Sequence, residues 1–510
     1  MTVIATPAPG PTRIVLWLAT ATVTGAVVMA LELASFRLYA PYFGNSIYVW
    51  GSMISVVMLA LSVGYAVGGW VADRSDTDLL LYGIILSSAL YQLAIVLTVH
   101  MFLPSLAQYG ECGGPVLATL IIFALPMTAL AAVGPFVVRL LARAGHIGST
   151  TGRVYALSTV GGIAGIFGTT FFLVPELGTQ MTLEIWCATS ALVGVAGLAG
   201  RRRLSLLGLL PLSVLAFMPQ PSSSGDTIWL RESTYNQVRV LRRGSRLMLV
   251  LNAQGSVHTI RDEANGWTGY YYDDFVLGPL LVQAHRALVL GMGGGGSITA
   301  IRAVASNIEV DAVEIDPQVV EASLRFFGLL TDERRLRIHV ADARPWLAQQ
   351  HGIYDLVQVD LYQGGPYIPF YLVTLEFFEL VRTHMSEEGL LMMNVFDAGP
   401  KKELLLSAGA TLRRVFPSVA VLAREDGNNI VLAFARERRG AWIRGRLQRA
   451  EGSPTVERLA RKAAHAIVDF EAPRGTPILT DDHAPVEEMT RRMMAKHWAR
   501  LVGAPQGGKP

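Results

Sequence analysis

The uneven distribution of charged side chains is the feature that most restricts how this chain can fold. Residues 1–220 contain only 16 of the 83 aspartate, glutamate, lysine and arginine residues in the 510-residue chain. So few charges over such a length are typical of helices that cross a lipid bilayer, whereas the rest of the chain has the composition of a soluble protein. The sequence therefore predicts an α-helical transmembrane domain over residues 1–218 and a linker over 219–226.

Six apolar stretches of the first domain are long enough to cross a bilayer, which takes about 20 residues. They lie at 14–36, 48–71, 79–103, 114–141, 153–175 and 181–199. A seventh stretch, at 204–218, is shorter and contains a proline. Arginines follow the second, fourth and sixth stretches, and cytoplasmic loops carry an excess of positive charge. We therefore expect a multi-pass membrane protein with six to seven spans, whose soluble part is cytoplasmic if 204–218 does not cross completely.

Small residues and one carboxylate stand out within the apolar stretches. Residues 62–69 and 161–168 are rich in glycine, and small residues allow helices in membranes to pack closely. Glu32 lies at membrane depth, where a carboxylate usually has a partner or lines a polar path. The interpretation that we favour is an ion pair with Arg37, and a transport role is the alternative.

The composition excludes two other classes of protein. The net charge of +3 is too small to indicate a nucleic-acid partner. Only Cys112 and Cys187 are present, which excludes a disulfide scaffold and a cysteine-rich zinc site. The partners that we expect are a lipid bilayer and small molecules.

The second half of the chain shows two successive patterns. Residues 227–285 contain short β-like runs, which predict a small β-hairpin subdomain. Over 286–510, strand-like and helix-like segments alternate, and this predicts a parallel, doubly wound α/β domain of the Rossmann-like type. We place seven strands in its sheet, the last two forming an antiparallel hairpin at the edge, at 287–290, 308–314, 336–341, 356–360, 390–395, 419–423 and 429–435.

A glycine-rich segment is the strongest chemical signal in the sequence. Gly291, Gly293 and Gly296 form the pattern G-x-G-x-x-G between a predicted strand and a predicted helix. Such a loop lets a ligand approach the backbone beside the amino terminus of a helix. Glu314 ends the next predicted strand, where a carboxylate can bind both hydroxyls of a ribose. The loop alone does not distinguish NAD from S-adenosyl ligands.

Two further acids end predicted strands. Asp342 follows the third strand, where its carboxylate can accept a hydrogen bond from an adenine amino group. Asp360 ends the fourth strand, at the carboxyl edge of the sheet where ligands of such folds bind. Together with Glu314, these acids predict one ligand site at that edge.

These residues resemble the spermidine synthase (polyamine aminopropyltransferase) family, which has a class I methyltransferase-like fold. The resemblance covers residues 227–400, and the first 200 residues resemble the membrane domain fused to some bacterial members. The late Leu-Thr-Asp-Asp-His-Ala-Pro at 479–485 also resembles the end of many such sequences. The motifs that carry the resemblance are, in order, Tyr235-Asn236, the glycines at 291–296, Val313-Glu314-Ile315-Asp316, Ala341-Asp342-Ala343 and Asp360.

The resemblance implies an aminopropyltransferase of the bacterial inner membrane that takes decarboxylated S-adenosylmethionine as donor and an amine or polyamine as acceptor, without a metal. It implies that Asp360 helps to deprotonate the attacking amine and that Tyr235 orients this amine. The implied donor-binding residues are Gly291, Gly293, Gly295, Glu314, Asp342 and Ala343. The implied acceptor-binding residues are Tyr272, Asp273, Asp274, Tyr362 and Gln363. A homodimer is one option for the oligomeric state.

Three departures from the family pattern leave alternatives open. Gly294 replaces an acid that binds the ammonium of the donor, and Gln363 replaces another acid. The usual His-Glu pair after a tyrosine appears as Asp273-Asp274, which are candidates to compensate. Gly294 favours methyl transfer from intact S-adenosylmethionine, because an acid there would repel the carboxylate of that donor. An alternative of another class is a membrane transporter or sensor whose adenosyl-binding domain is not catalytic.

Overall fold

The computed structural model describes residues 10–43, 46–75, 77–142, 147–199, 225–252, 256–329, 335–363 and 365–503. The chain divides into two compact units, Met1–Ser222 and Ser223–Pro510.

The first unit is built from helices. They are α1 (Pro11–Phe43), α2 (Ile47–Asp73), α3 (Leu79–Leu106), α4 (Gly110–Thr119), α5 (Leu125–Ala131), α6 (Val133–Leu141), α7 (Ile147–Gly168) and α8 (Val174–Gly197). Short π-helical turns connect α4 to α5 and α7 to α8, at Leu120–Ala124 and Thr169–Leu173. Five helical stretches among the described residues are long and apolar enough to cross a bilayer, and they are Pro11–Ala40, Ile47–Asp73, Leu79–Val99, Cys112–Leu141 and Ile147–Gly197.

The last of these stretches contains two of the predicted spans. It has 51 residues, more than twice the 20 or so that a bilayer requires. Gly178 interrupts it with φ 81° and ψ 170°, values that are not helical. The predicted spans at 153–175 and 181–199 lie on either side of this glycine. Six spans stay a prediction, and the stretch at 204–218 lies outside the described residues.

The glycine-rich run at 161–168 is a packing surface between α7 and α1. A Cβ atom at Gly161 would overlap the carbonyl oxygen of Thr22, and one at Gly165 would overlap that of Ala26. The packing interpretation is therefore confirmed for these two glycines, since any side chain would force the helices apart. At Gly168 a Cβ would meet no atom within 4 Å among the described residues, so this glycine is not part of the contact.

The second unit begins with a small antiparallel sheet. Its strands, in the order β1-β2-β3-β4, are β1 (Thr227–Glu232), β2 (Gln237–Arg243), β3 (Arg246–Leu251) and β4 (Val257–Asp262). Apolar side chains of one face, including Val238 and Leu249, pack with Phe327 of the larger domain. The small sheet is thereby attached beside the glycine loop.

A mixed sheet of eight strands forms the centre of the larger domain. The strands are β5 (Arg286–Leu290), β6 (Glu309–Glu314), β7 (Leu336–Val340), β8 (Tyr354–Val359), β9 (Met385–Phe396), β10 (Ser418–Leu422), β11 (Asn428–Phe434) and β12 (Ile467–Asp469). Their order is β12-β10-β11-β9-β8-β5-β6-β7, with parallel pairing from β9 to β7 and antiparallel pairing elsewhere. The predicted parallel, doubly wound sheet is confirmed. The prediction of seven strands is wrong by one, because β12 has three residues and gives no periodic signal.

Helices cover both faces of this sheet. They are α9 (Leu277–Leu281), α10 (Gly296–Arg302), α11 (Pro317–Phe326), α12 (Ala343–Ala348), α13 (Leu375–Thr383), α14 (Glu403–Val415), α15 (Gly440–Gln448), α16 (Pro454–Ala466) and α17 (Val486–Gly503). The 3₁₀ helix Tyr271–Val276, α9, α10, α15 and α16 pack on one face, and α12, α13, α14 and α17 pack on the other. Because β5 to β8 are parallel, their carboxyl ends lie at one edge, where the predicted site residues follow them.

Candidate active site

The glycine loop passes close to the ends of the neighbouring strands. Gly291, Gly293 and Gly295 have φ angles of 82°, 51° and 76°, in the region that favours glycine. A Cβ atom at Gly291 would overlap the carbonyl oxygen of Asp360. The Gly291 amide also donates to the carbonyl oxygen of Val313 at 3.0 Å. The loop therefore brings the ends of β6 and β8 together.

Glu314 is tied directly to this loop. Its Oε2 accepts a hydrogen bond from the Gly293 amide at 3.0 Å, and its Oε1 accepts one from the Asp316 amide at 3.2 Å. Burial raises the pKa of Glu314 to about 7, an effect that the backbone hydrogen bonds oppose. A carboxylate has about four acceptor positions. Glu314 therefore retains the capacity to accept hydrogen bonds from a ribose.

Asp316 fixes the turn that carries Tyr235. Its carboxylate caps α11 at the Gln318 amide (2.9 Å) and also accepts hydrogen bonds from Ser233 Oγ (2.6 Å) and Asn236 Nδ2 (2.9 Å). Asp316 is fully buried, whereas Tyr235 is 43% exposed. Asn236 thus holds the β1–β2 turn in place and leaves the Tyr235 side chain at the surface.

Asp342 caps α12 at the end of β7. Its Oδ1 accepts a hydrogen bond from the Arg344 amide at 3.2 Å, and its Oδ2 accepts one from the Tyr371 hydroxyl at 3.0 Å. Ala343, the first residue of α12, is buried. The carboxylate of Asp342 is therefore fixed in orientation from two sides.

Asp360 lies between a phenol and an amide. Its Oδ2 accepts a hydrogen bond from the Tyr271 hydroxyl and its Oδ1 one from Asn394 Nδ2, both at 3.0 Å. Burial raises the pKa of Asp360 to about 6, although the two hydrogen bonds favour the ionised form. Its carboxylate can therefore exchange a proton near neutral pH.

Tyr271 and Asn394 are site residues that the sequence reasoning missed. Tyr271 precedes Tyr272, the tyrosine that the family pattern selected, and its role depends on a contact 89 residues away. Asn394 is only 1% exposed, and its Oδ1 has no hydrogen-bond partner among the described residues. A polar residue near the end of an apolar strand, Met392-Met393-Asn394, was the available signal for it.

The predicted acceptor residues at 272–274 are largely engaged within the protein. The ring of Tyr272 contacts that of Tyr271, with centroids 4.2 Å apart and the ring planes tilted by 45°. Asp273 accepts hydrogen bonds from the Gly269 amide and from the amide and hydroxyl of Thr268, at 2.7–3.0 Å. Asp274 forms an ion pair of 2.5 Å with Arg424.

Both carboxylates are buried, and no hydrogen bond or ion pair between described residues joins either one to Asp360. This arrangement holds the 268–269 turn and the β10–β11 loop. The compensating role that the sequence suggested for Asp273 and Asp274 stays a prediction.

Tyr362 and Gln363 follow Asp360 in the loop after β8. The Tyr362 hydroxyl donates to the carbonyl oxygen of Asn394 at 3.2 Å and accepts from the Phe396 amide at 2.7 Å. Gln363 has an exposed side chain. Tyr362 thus connects the site to β9, and Gln363 lies at its surface.

Gly294 lies in close contact with Thr259 of β4. The Gly294 amide donates to Thr259 Oγ1 at 2.9 Å. A Cβ atom at Gly294 would lie 2.8 Å from both Cβ and Cγ2 of Thr259. An acid at position 294 would therefore require Thr259 to move.

No group of three or more histidine, cysteine, aspartate or glutamate side chains in the described part of the chain is arranged to hold a metal ion. The expectation of a metal-free site stays a prediction.

The sheet order and the glycine loop define a Rossmann-like protein of the class I methyltransferase type. Residues 276–424 match the Spermine/spermidine synthase domain family. The chain is 29% identical over 273 residues to the probable polyamine aminopropyl transferase of Bifidobacterium longum, covering 50% of this chain and 60% of that protein. It is 31% identical over 158 residues to the polyamine aminopropyltransferase of Vibrio vulnificus, covering 30% of this chain and 51% of that protein.

A crystal structure of a probable spermidine synthase from Corynebacterium glutamicum aligns with a TM-score of 0.40 and 19% identity, over 51% of this chain and 97% of that one. The chain spans only 60% and 51% of the length of the two relatives described above. The resemblance predicted from the sequence is confirmed for residues 276–424, the segment that matches this family. The two relatives described above are named as transferases of aminopropyl groups.

Proposed function

We propose that this chain is a membrane-anchored aminopropyltransferase that uses decarboxylated S-adenosylmethionine to alkylate a small-molecule amine or polyamine. The observation that carries the proposal is the position of Asp360 beside the glycine loop, between Tyr271 and the buried Asn394. Asn394 Oδ1, which lacks a partner among the described residues, can accept a hydrogen bond from an amine close to Asp360.

In the proposed donor site, the backbone of Gly291, Gly293 and Gly295 lies against the adenosyl group and Glu314 binds the ribose. Asp342 and Ala343 meet the adenine. These roles are supported by the hydrogen bond that joins Glu314 to the loop and by the two that orient Asp342. The donor would thus be held at three successive strand ends, with its sulfonium toward β8.

In the proposed reaction, Asp360 takes a proton from the ammonium of the acceptor, because only the neutral amine has a lone pair for attack. The amine nitrogen attacks the aminopropyl carbon next to the sulfonium. The carbon–nitrogen bond forms as the carbon–sulfur bond breaks. The electron pair of the carbon–sulfur bond stays on the sulfur and neutralises it, which leaves methylthioadenosine. Tyr235 would help to orient the acceptor, and the leaving group needs no activation by a metal.

One observation favours a second candidate, methyl transfer from intact S-adenosylmethionine. Thr259 and Gly294 fill the position where the family has an acid, so a donor with a carboxylate would meet no repulsion there. The two reactions leave different products, methylthioadenosine and S-adenosylhomocysteine.

Mass spectrometry of products from each donor with a panel of amines tests both candidates. Methylthioadenosine with an amine heavier by one aminopropyl group supports the proposal, and the Asp360→Asn variant is the control for non-enzymatic transfer. Formation of a methylated amine and S-adenosylhomocysteine instead would replace it with the second candidate. Absence of both products, despite binding of methylthioadenosine, would favour a sensor or transporter.

The membrane part of the proposal is supported by the five long apolar helical stretches and by the arginines that follow alternate predicted spans. We place the protein in the bacterial inner membrane with its soluble unit in the cytoplasm. A reporter that is active only in the cytoplasm should function when fused after Pro510. Activity of a periplasm-specific reporter at the same position would contradict this orientation.

A further inference from the structure

The segment at 479–483 lies outside residues 276–424, which match the Spermine/spermidine synthase domain, yet it packs onto the proposed site. Leu479 is fully buried. Its carbonyl oxygen accepts a hydrogen bond from the Leu375 amide at 2.8 Å, and its own amide donates to Thr411 Oγ1 at 3.0 Å. The segment is therefore fixed between the start of α13 and the second half of α14.

Asp481 is the residue of this segment that reaches toward α12. Its two oxygens accept hydrogen bonds from the two terminal nitrogens of Arg344, at 2.7 and 2.6 Å. Thr374 Oγ1 donates to Asp481 Oδ1 at 2.7 Å, and the Asp481 amide donates to Glu376 at 3.0 Å. A bidentate pair with these additional contacts has a defined geometry, which single surface ion pairs often lack.

Arg344 in turn holds the surroundings of Asp342. Arg344 Nη1 also donates to the carbonyl oxygen of Tyr371 at 2.8 Å. The hydroxyl of Tyr371 donates to one oxygen of Asp342, and the Arg344 amide donates to the other. Both oxygens of Asp342 are therefore oriented by residues that Asp481 holds in place.

We propose that Asp481 is a positioning residue for the adenine end of the donor site, acting through Arg344 and Tyr371 on Asp342. The inference rests on the proposed function, in which Asp342 meets the adenine of the donor. The inference also assigns different roles to the consecutive residues Asp481 and Asp482. Asp482 is exposed and forms no hydrogen bond or ion pair with the described residues.

The Arg344–Asp481 pair is partly exposed, with side-chain exposures of 22% and 42%. Solvent weakens the contribution of a partly exposed pair to global stability, while the bidentate geometry keeps the two side chains ordered. The loss of Asp481 should consequently alter the geometry around Asp342 more than the stability of the fold. Affinity for the adenosyl group is thus the quantity that distinguishes a positioning role from a merely structural one.

The test compares Asp481→Asn with the matched control Asp482→Asn in the full-length protein, using methylthioadenosine as the probe in calorimetry. Asp481→Asn should weaken binding about three- to tenfold, the usual range for one lost charge-assisted hydrogen-bond network at a partly exposed site. Asp482→Asn should bind like the wild type. In steady-state assays the KM for the donor should rise, while the KM for the amine stays unchanged. Asp481→Glu, which keeps the charge, should recover part of the affinity.

The outcomes distinguish a failure of this inference from a failure of the proposed function. Failure of the wild type to bind methylthioadenosine would overturn the proposed function and the inference together. Normal binding by both the wild type and Asp481→Asn, or an equal rise in the KM of donor and amine, would overturn the inference alone. If Asp481→Asn does not fold, Arg344→Lys is the second variant, because lysine keeps the charge but cannot form the bidentate pair. Unchanged affinity in Arg344→Lys would also overturn the inference.

Discussion

Two strand ends of the larger sheet hold a carboxylate in almost the same way. Asp342 follows β7 and accepts a hydrogen bond from the Tyr371 hydroxyl, and Asp360 follows β8 and accepts one from the Tyr271 hydroxyl. Both distances are 3.0 Å. In each case a nitrogen donor binds the other oxygen. Hydrogen bonding alone therefore does not distinguish the two acids.

Their surroundings do distinguish them. Arg344 follows Ala343, and its guanidinium donates to the carbonyl oxygen of Tyr371 and to Asp481. Asp360 has the neutral amide of Asn394 beside it and is hydrogen-bonded to no cation among the described residues, and desolvation raises its pKa to about 6. The comparison teaches that two carboxylates with similar hydrogen bonds can differ in their neighbours, and desolvation makes Asp360 the candidate for proton transfer.

Replacement of each acid by its amide should give the largest contrast. We expect Asp360→Asn to lower kcat by about 10²–10⁴-fold, because a general base is lost, while affinity for methylthioadenosine stays within about twofold. Asp342→Asn should instead weaken that affinity and leave most of kcat. Stopped assays with a confirmed substrate, together with calorimetry, measure both quantities. Near-normal turnover by Asp360→Asn would show that Asp360 is structural.

Glu314, like Asp342, is proposed to bind the donor and not to transfer a proton. Glu314→Ala removes a carboxylate that would accept hydrogen bonds from both ribose hydroxyls, so methylthioadenosine should bind about 10–100-fold more weakly. Calorimetry on the folded variant is the measurement, with Glu309→Ala on the exposed start of β6 as the control. Unchanged affinity would remove Glu314 from the donor site.

The pKa of Asp360 predicts how turnover depends on pH. A base acts when it is deprotonated, and burial raises the pKa of Asp360 to about 6. The ionised fraction therefore rises from about one tenth at pH 5 to about nine tenths at pH 7, and kcat at saturating donor should rise nearly tenfold. Thermal unfolding at both pH values checks that the enzyme stays folded. A flat profile between pH 5 and 7 would contradict the assignment.

Replacement of Tyr271 or Tyr371 by phenylalanine should have the smallest and most selective effects on turnover and binding. Tyr271→Phe removes a hydrogen bond that favours ionised Asp360, so the midpoint of the pH profile should move upward and kcat at pH 7 should fall about threefold. Tyr371→Phe should weaken methylthioadenosine binding about threefold and leave the midpoint unchanged. If both variants change the same parameter, the two carboxylates do not have separate roles.

Much of the fold was predictable because its signals are local. The alternation of strand-like and helix-like segments predicted the parallel sheet. The loop at 291–296 and Glu314 predicted a ligand site at the carboxyl edge of this sheet. Gly161 and Gly291 show why a residue type needs its context. Gly161 prevents a clash between two helices, whereas Gly291 has a positive φ and lies against Asp360.

The rest of the site depends on contacts between distant parts of the chain. Tyr271 meets Asp360 across 89 residues, and Arg344 meets Asp481 across 137. No pattern of neighbouring residues in the sequence predicts such pairs. Asp273, predicted to bind the acceptor, accepts hydrogen bonds from the turn at 268–269 that the sequence pattern did not indicate.

The separation between Arg344 and Asp481 also has a consequence for the order in which the protein forms. A contact between residues 137 apart requires the closure of a long loop, which forms late compared with local structure. During synthesis, the strands β5 to β8 emerge well before residue 481 is available. A nascent chain can therefore assemble most of its sheet before the adenine end of the site is held, so that competence for the donor would arrive with the last part of the domain to fold.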